Sequence, residues 1–360
     1  MSKYIPFLKL KSNEIMAVGE LETDLRQAIT PFFDFPYRKD RTEESFKKTA
    51  NDMIRKIDKY LEDIPYFYLD NFDVDSKLKI DGSYNYAYLI DICKDLPIVP
   101  VISIDRKTEH MRVVCEAKKS GRLKSDRIAL RFAAEDFESF DVVEDDIEEC
   151  LDGTLKKFAD VDIVFDCRVC RNQNLTSLAS NINRFIKKFS NVYSVKKIIV
   201  AGSSIPASIS DILHVEEEIE FARAELDVFE QVHNAIGDDF NVALGDYRIV
   251  SPNYSDVDIM PEAMLRITAP KIIYTFDRNH YLIRGGAIRT HKRGFRQYND
   301  LAAVIVSKPF FRGAEYSFGD NFIEEKSHSV GNKVTPSSIL KPTINSHITY
   351  MLNGYIPTVV

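Results

Sequence analysis

The sequence predicts an α/β fold: a (β/α)8 TIM-like barrel with a hairpin insertion after the eighth strand and a C-terminal extension. Three observations point there. Eight short runs rich in Val, Ile and Phe recur along the 360 residues, they begin roughly 24 to 43 residues apart, and most gaps between them carry apolar residues at helical spacing. Repeated βα units give a parallel sheet, and eight of them in this length favour a closed barrel over an open doubly wound sheet. The marks of the usual open-sheet sites are missing. No G-x-G-x-x-G follows the first strand and no G-x-x-x-x-G-K-[ST] occurs anywhere.

The expected strands cover 4–10, 28–35, 65–71, 98–104, 127–133, 162–168, 197–203 and 240–247. Before the last of them, Val215, Ile219, Ala222, Leu226, Phe229 and Val232 recur at steps of three or four and predict one helix from about 215 to 236. The acidic run Glu216-Glu217-Glu218 would form its first turn, which suits the positive end of a helix and needs no functional explanation. After the eighth strand, 271–276 and 281–284 read as a hairpin joined through Asp277-Arg278-Asn279-His280, with the insertion spanning 271–286. Phe295, Tyr298, Leu301, Ala302 and Ile305 then give a helix expected to close the barrel. The barrel is thus expected over 1–308, and 309–360 is expected as an irregular tail held by Phe310, Phe311, Tyr316 and Phe318.

At 44% hydrophobic and 29% charged residues the chain is ordinary globular material. A formal net charge of −7 and the lack of any basic arm argue against extensive nucleic-acid binding. No apolar stretch approaches the roughly 20 residues that cross a bilayer. The five cysteines are odd in number and no signal-like segment precedes the first strand, so a cytoplasmic location is expected. Cys167-x-x-Cys170 stands without a second pair or a nearby His and is a weak metal or redox signal.

In a barrel the last residues of each strand carry the chemistry, because the loops there build the mouth. Here they are polar: Lys9 and Lys11, Asp34, Asp70, Asp105, Arg131, Asp166 and Arg168, Ser203 and Ser204, and Asp246 with Tyr247. Period-two alternation puts Lys9 and Lys11 on one face, and Asp166 and Arg168 on one face, so each pair is expected to point into the mouth. Arg131, between Ala129 and Ala133, has room to reach inward and either grip a phosphate or carboxylate ligand or pair with Asp105 or Asp166. Scattered carboxylates such as Asp34, Asp70, Asp105 and Asp246 are also of the kind that hold Mg²⁺. The first strand carries Lys9-Leu10-Lys11 and not a His-x-His pair, and no cluster has zinc-ligand spacing. The exits of the seventh and eighth strands, where barrels often hold phosphate, are Gly202-Ser203-Ser204 and Gly245-Asp246-Tyr247. They fit an anion site, and they fit turns required by the backbone alone.

These residues resemble a family called the beta protein family, found in bacteria and their phages. The match runs through Tyr4-x-Pro6-x-Leu8-Lys9-x-Lys11-x-x-Glu14, Ile29-x-Pro31-x-x-Asp34, Gly202-Ser203-Ser204-x-Pro206, Gly245-Asp246-Tyr247, Tyr274-Thr275 and Arg284-Gly285. It continues through Gln297-Tyr298, Gly313, Phe318-Gly319-Asp320 and His347. The chain departs from the family at Asp34, where Glu is commoner, and in having no Trp and only Asn345-Ser346-His347 where a double His is expected. The resemblance implies a role in phage–host conflict, in defence or its regulation.

The resulting expectation is a barrel whose mouth binds a phosphate-bearing small molecule such as a nucleotide, with hydrolysis of that molecule left open. Lys9, Lys11, Arg131 and Arg284 would bind the anion, with Asp166, Arg168 and Tyr247 lining the site. Ser203 and Ser204 would donate hydrogen bonds, and Asp34 and Asp246 would act as acid and base or hold a metal. The competing expectation is a non-catalytic partner protein that docks through its hairpin and its C-terminal aromatics, and an exposed aromatic patch would favour it.

Overall fold

The eight apolar runs form one closed parallel barrel. A computed structural model of the chain describes residues 3–254 and 268–359. The barrel strands are β1 (Tyr4–Lys9), β2 (Phe32–Asp34), β3 (Phe67–Asp70), β4 (Ile98–Ile102), β5 (Arg127–Ala133), β6 (Asp160–Val169), β7 (Lys197–Ser203) and β8 (Val242–Asp246). Each pairs in parallel with the next, and β8 returns to β1. Side-chain alternation then divides every strand. Ile5, Phe7, Phe32, Tyr68, Val101 and Ile199 fill the interior, while Leu8, Phe33, Leu69 and Leu244 face the surrounding helices.

The apolar plug is shut below by polar side chains. Arg127 Nη1 donates to Asp162 at 2.7 Å, the Tyr68 hydroxyl donates to the same carboxylate at 2.6 Å, and Lys197 Nζ donates to the Tyr66 hydroxyl at 3.0 Å. Space in the middle is tight. A Cβ on Gly245 would lie 2.8 Å from the Phe7 ring and 2.9 Å from the Ala201 methyl, so β8 approaches its neighbours only because this residue has no side chain.

The chain departs from expectation between β7 and β8. Glu218–Ala222 is a strand, and only Ala224–Ile236 is helical. Local spacing was ambiguous here, because Ile219 and Phe221 also alternate with period two, and long-range pairing decided. The strand pairs antiparallel with Asn279–Arg284, which in turn pairs with Lys271–Phe276, so the expected hairpin becomes part of a three-stranded sheet. Glu216 sits at φ 62° ahead of that strand, and the acidic run is therefore not the first turn of a helix.

The two faces of this sheet have different neighbours. Ile272, Tyr274 and Phe276 pack with Tyr298, Leu301 and Ile305 of the helix Gln297–Val306, whereas Ile273 and Leu282 belong to the barrel's own core. That helix therefore covers the far side of the sheet and does not close the barrel. Closure falls to the helix Leu340–Tyr350, whose Ile344 and Ile348 join the barrel core and whose Asn345 amide donates to the Ala17 carbonyl at 3.1 Å.

The C-terminal part is helical where an irregular tail was expected: Phe318–Ser327 and Leu340–Tyr350, continued by a π turn over Met351–Tyr355. These two helices meet at Gly319, where a Cβ would stand 2.0 Å from the Pro342 carbonyl oxygen. Phe310 stacks on Phe276 with centroids 4.0 Å apart, and Phe311 packs on the same cluster. Phe310, Phe311, Tyr316 and Phe318 are half-buried, so they form no exposed aromatic patch.

The interior contact at Gly245 yields a direct expectation. Gly245→Ala forces a methyl against Phe7 and Ala201 and should destabilise the fold by about 1–3 kcal/mol. Urea unfolding would show this as a lower midpoint with an unchanged slope.

Candidate functional site

At the strand exits the inward positions change from apolar to charged. Arg131 of β5 lies on the barrel axis and is almost fully buried. Its Nη1 donates to Asp34 at 2.8 Å and to Asp70 at 2.8 Å, and its Nη2 donates to Asp166 at 2.6 Å and to the Tyr247 hydroxyl at 2.8 Å. Tyr247 donates in turn to Asp166 at 2.7 Å. One guanidinium thus joins carboxylates from β2, β3 and β6. Both pairings left open by the sequence concerned this residue, and the partners found are Asp166, Asp34 and Asp70; the Asp105 side chain is half-exposed beside Arg106.

A second cation attends each of these acids. Lys9 Nζ lies 3.5 Å from Asp34, Arg106 Nη2 is 2.9 Å from Asp70, and Arg168 Nη1 is 4.0 Å from Asp166. Lys9 also pairs with Asp73 at 2.6 Å, and Asp73 accepts from the Tyr254 hydroxyl at 3.1 Å. The Phe72 ring lies over the layer, with the guanidinium carbons of Arg131, Arg106 and Arg168 at 4.4, 5.0 and 5.1 Å from its centroid.

These surroundings set two neighbouring carboxyls apart. Burial works against ionisation of Asp34, but Arg131 and Lys9 outweigh it and hold its pKa below the ordinary value. At Asp70 burial wins over Arg106 and Arg131, the Asp34 charge adds to it, and the pKa is raised. Two carboxyls beside one guanidinium, one held ionised and one pushed toward the protonated form, are the usual raw material of acid–base chemistry.

Asp246 is elsewhere. Tyr247 faces the mouth, so period-two alternation turns Asp246 outward, toward the helices. There it accepts from the Tyr4 hydroxyl at 2.8 Å, Arg223 Nη2 at 2.5 Å and His347 Nε2 at 2.9 Å. Burial opposes its ionisation, yet His347, Arg223 and Tyr4 hold its carboxyl well below the usual range. Burial pushes His347 down to about 4, against the pull of Asp246, so near neutral pH the imidazole is uncharged and Arg223 supplies the balancing charge. With Nε2–H donated to Asp246, Nδ1 accepts from the Thr275 hydroxyl at 2.7 Å, and Thr275 accepts from His280 Nδ1 at 3.1 Å. This relay ends at His280 Nε2, which is buried and has no hydrogen-bond partner.

The remaining expected residues divide as follows. Lys9, Arg131, Asp34, Asp166 and Tyr247 come together in the mouth, and Arg168 stands at its edge with φ 52°, beyond a register shift in β6. Lys11, expected beside Lys9, is exposed at the N-terminal boundary of the helix Ser12–Gly19, because the chain leaves the strand after Lys9. The Ser203 hydroxyl accepts from the Ile205 N–H at 3.0 Å within its own turn, and the Ser204 hydroxyl donates to Glu225 at 2.6 Å and accepts from the Ala224 N–H at 2.7 Å, so it ties the turn to the start of the helix Ala224–Ile236. Arg284 lies on the added sheet. Sequence reasoning missed Arg106, Phe72, Asp73, Tyr254 and Arg223, all in loops with no periodic signal, and Arg223 sat inside the falsely expected helix.

Among the described residues no three His, Cys, Asp or Glu side chains converge as a metal set. The acids of the mouth converge on Arg131 instead. Among the described residues no helix is long and apolar enough to cross a membrane.

Comparison with known proteins adds a family. The family model described as Beta protein matches residues 4–353. Comparison with curated proteins finds no match. Among solved structures, 8 chains match. One of them is the spore cortex-lytic enzyme SleL of Bacillus cereus, at 10% identity over 96% of this chain and 74% of that one, with a TM-score of 0.31. A likeness at that level carries no argument about chemistry.

Two outcomes follow from the geometry. Arg131→Met leaves Asp34, Asp70 and Asp166 buried without their shared partner and should cost about 3–5 kcal/mol in unfolding free energy, measured by denaturant titration. Because His347 titrates lower in the folded chain than in the unfolded one, its contribution is complete above about pH 6.5 and is lost as the pH falls toward 4. Unfolding free energy should therefore rise between these values, and His347→Asn should flatten the rise.

Proposed function

The chain belongs to the Beta protein family, and on that footing we propose that its barrel mouth binds a phosphate-bearing small molecule, such as a nucleotide, and hydrolyses it. One observation carries this reading. Arg106 and Arg168, both against the Phe72 ring, each keep a buried guanidinium nitrogen, Nε and Nη1, without a hydrogen-bond partner. Their nearest carboxylates at those atoms, Asp105 at 3.4 Å and Asp166 at 4.0 Å, are close enough to attract them but do not accept a hydrogen bond. A buried N–H without an acceptor is costly, and an anionic oxygen is the partner that satisfies a guanidinium best.

The rest of the mouth fits an anionic ligand of this kind. Lys9 and Arg131 stand beneath the two arginines, and these four cations face Asp34, Asp73 and Asp166 together with Asp70, whose carboxyl is pushed toward its neutral form. Tyr37 is 49% exposed and its ring lies 5.3 Å from that of Tyr254, which offers a face for a base to stack on. In this reading Asp34 is the general base that activates water and Asp70, held toward its protonated form, is the acid. Asp246 acts from behind the wall as a positioning residue, fixing Arg223 and His347. Any Mg²⁺ would arrive with the nucleotide. The setting in phage–host conflict is inferred from the family resemblance alone.

The test is a thermal-shift series with ATP, ADP, AMP and inorganic phosphate, with and without Mg²⁺. A ligand at about a hundred times its Kd adds roughly 2.7 kcal/mol, a rise of a few degrees for a chain of this size. Arg106→Ala and Arg168→Ala should lose that rise, whereas Asp34→Asn should keep it and lose phosphate release. Absence of a shift with every ligand, or an equal shift in both arginine variants, would refute the reading.

A further inference from the structure

A second pair of cations stands outside the mouth. In the three-stranded sheet Lys271 is directly opposite Arg284. Period-two alternation puts Lys271, Ile273 and Thr275, with Arg284, Leu282 and His280 across from them, on the face turned to the barrel. Thr275 and His280 find partners there, and Ile273 and Leu282 find the core. Lys271 and Arg284 find each other. Like charges directly opposite in a sheet are destabilising, so the pairing calls for a counter-charge.

The described residues do not supply one. The Lys271 ammonium has no hydrogen-bond or ion-pair partner among the described residues, and Arg284 donates only to the neutral Leu213 carbonyl, at 2.7 Å. Both side chains line a cavity of about 550 Å³ between the sheet, the strand exits of β7 and β8, and the C-terminal helices. No Asp, Glu or His lines it among the described residues. Its polar wall includes Ser208, Ser210 and Thr343, and its apolar wall includes Ile249, Ile339 and Leu340. Among the described lining residues the other titratable one is Tyr298. Glu216, Glu217 and Glu218 line a separate groove that Arg284 borders from its other side.

We propose that Lys271 and Arg284 form a second anion site that takes the phosphate dianion of an amphiphilic small molecule and packs its apolar part against Ile249, Ile339 and Leu340. Two unbalanced positive charges match a dianion; Arg offers a planar fork and Lys a point charge, the usual division of labour on phosphate. The volume is within the range of small-molecule sites. Lys271 keeps part of its side chain in solvent, while desolvation of its ammonium and the Arg284 charge push its pKa down to about 8. A bound dianion would reverse that shift. The site shares no residue with the Arg106 and Arg168 mouth, so the two readings stand or fall separately.

The probe is phenyl phosphate, titrated calorimetrically into the full chain beside inorganic phosphate and phenol. Phenyl phosphate should bind more tightly than inorganic phosphate, and phenol should not bind. Lys271→Gln and Arg284→Gln should each weaken it by about 10-fold or more, the loss expected for one charge-assisted hydrogen bond, and this binding event should persist in an Arg168→Ala background, where the mouth contributes no phosphate binding of its own. Affinity should fall as the pH rises from about 7 to about 9, as Lys271 loses its proton. Without ligand, Lys271→Gln should melt no lower than the wild type, because it removes a like-charge contact and leaves the Arg284 bond to Leu213 in place. No binding by the wild type, or unchanged affinity in both Gln variants, overturns the proposal. Loss confined to Arg168→Ala also overturns it, by placing the phosphate in the mouth.

Discussion

The burial of Arg131 on the barrel axis is the constraint on which the upper half of this molecule depends. A guanidinium withdrawn from water has to be matched by acceptors at fixed positions, and here three strands contribute them: Asp34 from β2, Asp70 from β3 and Asp166 from β6. Such a cluster need not add stability over an apolar core of the same volume. What it does is fix relative positions. The strands that supply the acids can slide past one another only by breaking charge-assisted hydrogen bonds in a low-dielectric layer, where an unpaired charge costs most. The loops above inherit that geometry. Lys9, Arg106 and Arg168 each attach to one of the same acids, and Phe72 lies across three of the cations.

The parity of β8 divides the chemistry of the barrel between two compartments. Tyr247 and Asp246 are adjacent in sequence and face opposite sides of the wall, so one completes the mouth while the other anchors a lateral network with Tyr4, Arg223 and His347. That lateral network joins the barrel to the added sheet and to the last helix, since Arg223 lies between the strand Glu218–Ala222 and its helix, Thr275 is on the hairpin, and His347 is on Leu340–Tyr350. The C-terminal part is thereby held to the strand exits by buried, oriented hydrogen bonds as well as by apolar packing. The cavity beside Lys271 and Arg284 lies along this same junction, where the sheet's barrel-facing row meets no carboxylate among the described residues.

The sequence by itself determined the barrel, because eight runs of β-branched and aromatic residues separated by helical segments leave few other arrangements. It also determined that the strand exits are charged; alternation placed Lys9 and Asp166 at inward positions and left Arg131 room to reach inward, whereas Asp34 and Tyr247 were legible only as strand-end residues. Tertiary structure decided what alternation cannot reach. It turned 218–222 from helix to strand by offering the hairpin as a partner, and it gave closure of the barrel to Leu340–Tyr350 through a contact more than 300 residues away in the chain. It placed Asp246 behind the wall, Lys11 in solvent, and Arg106 and Phe72 over the mouth from loops that carry no period. The physical reason is common to all of these. A repeating pattern of apolar residues records which face is buried, whereas the partner of a buried charge is set by the three-dimensional meeting of distant segments, and nothing local in the sequence encodes it.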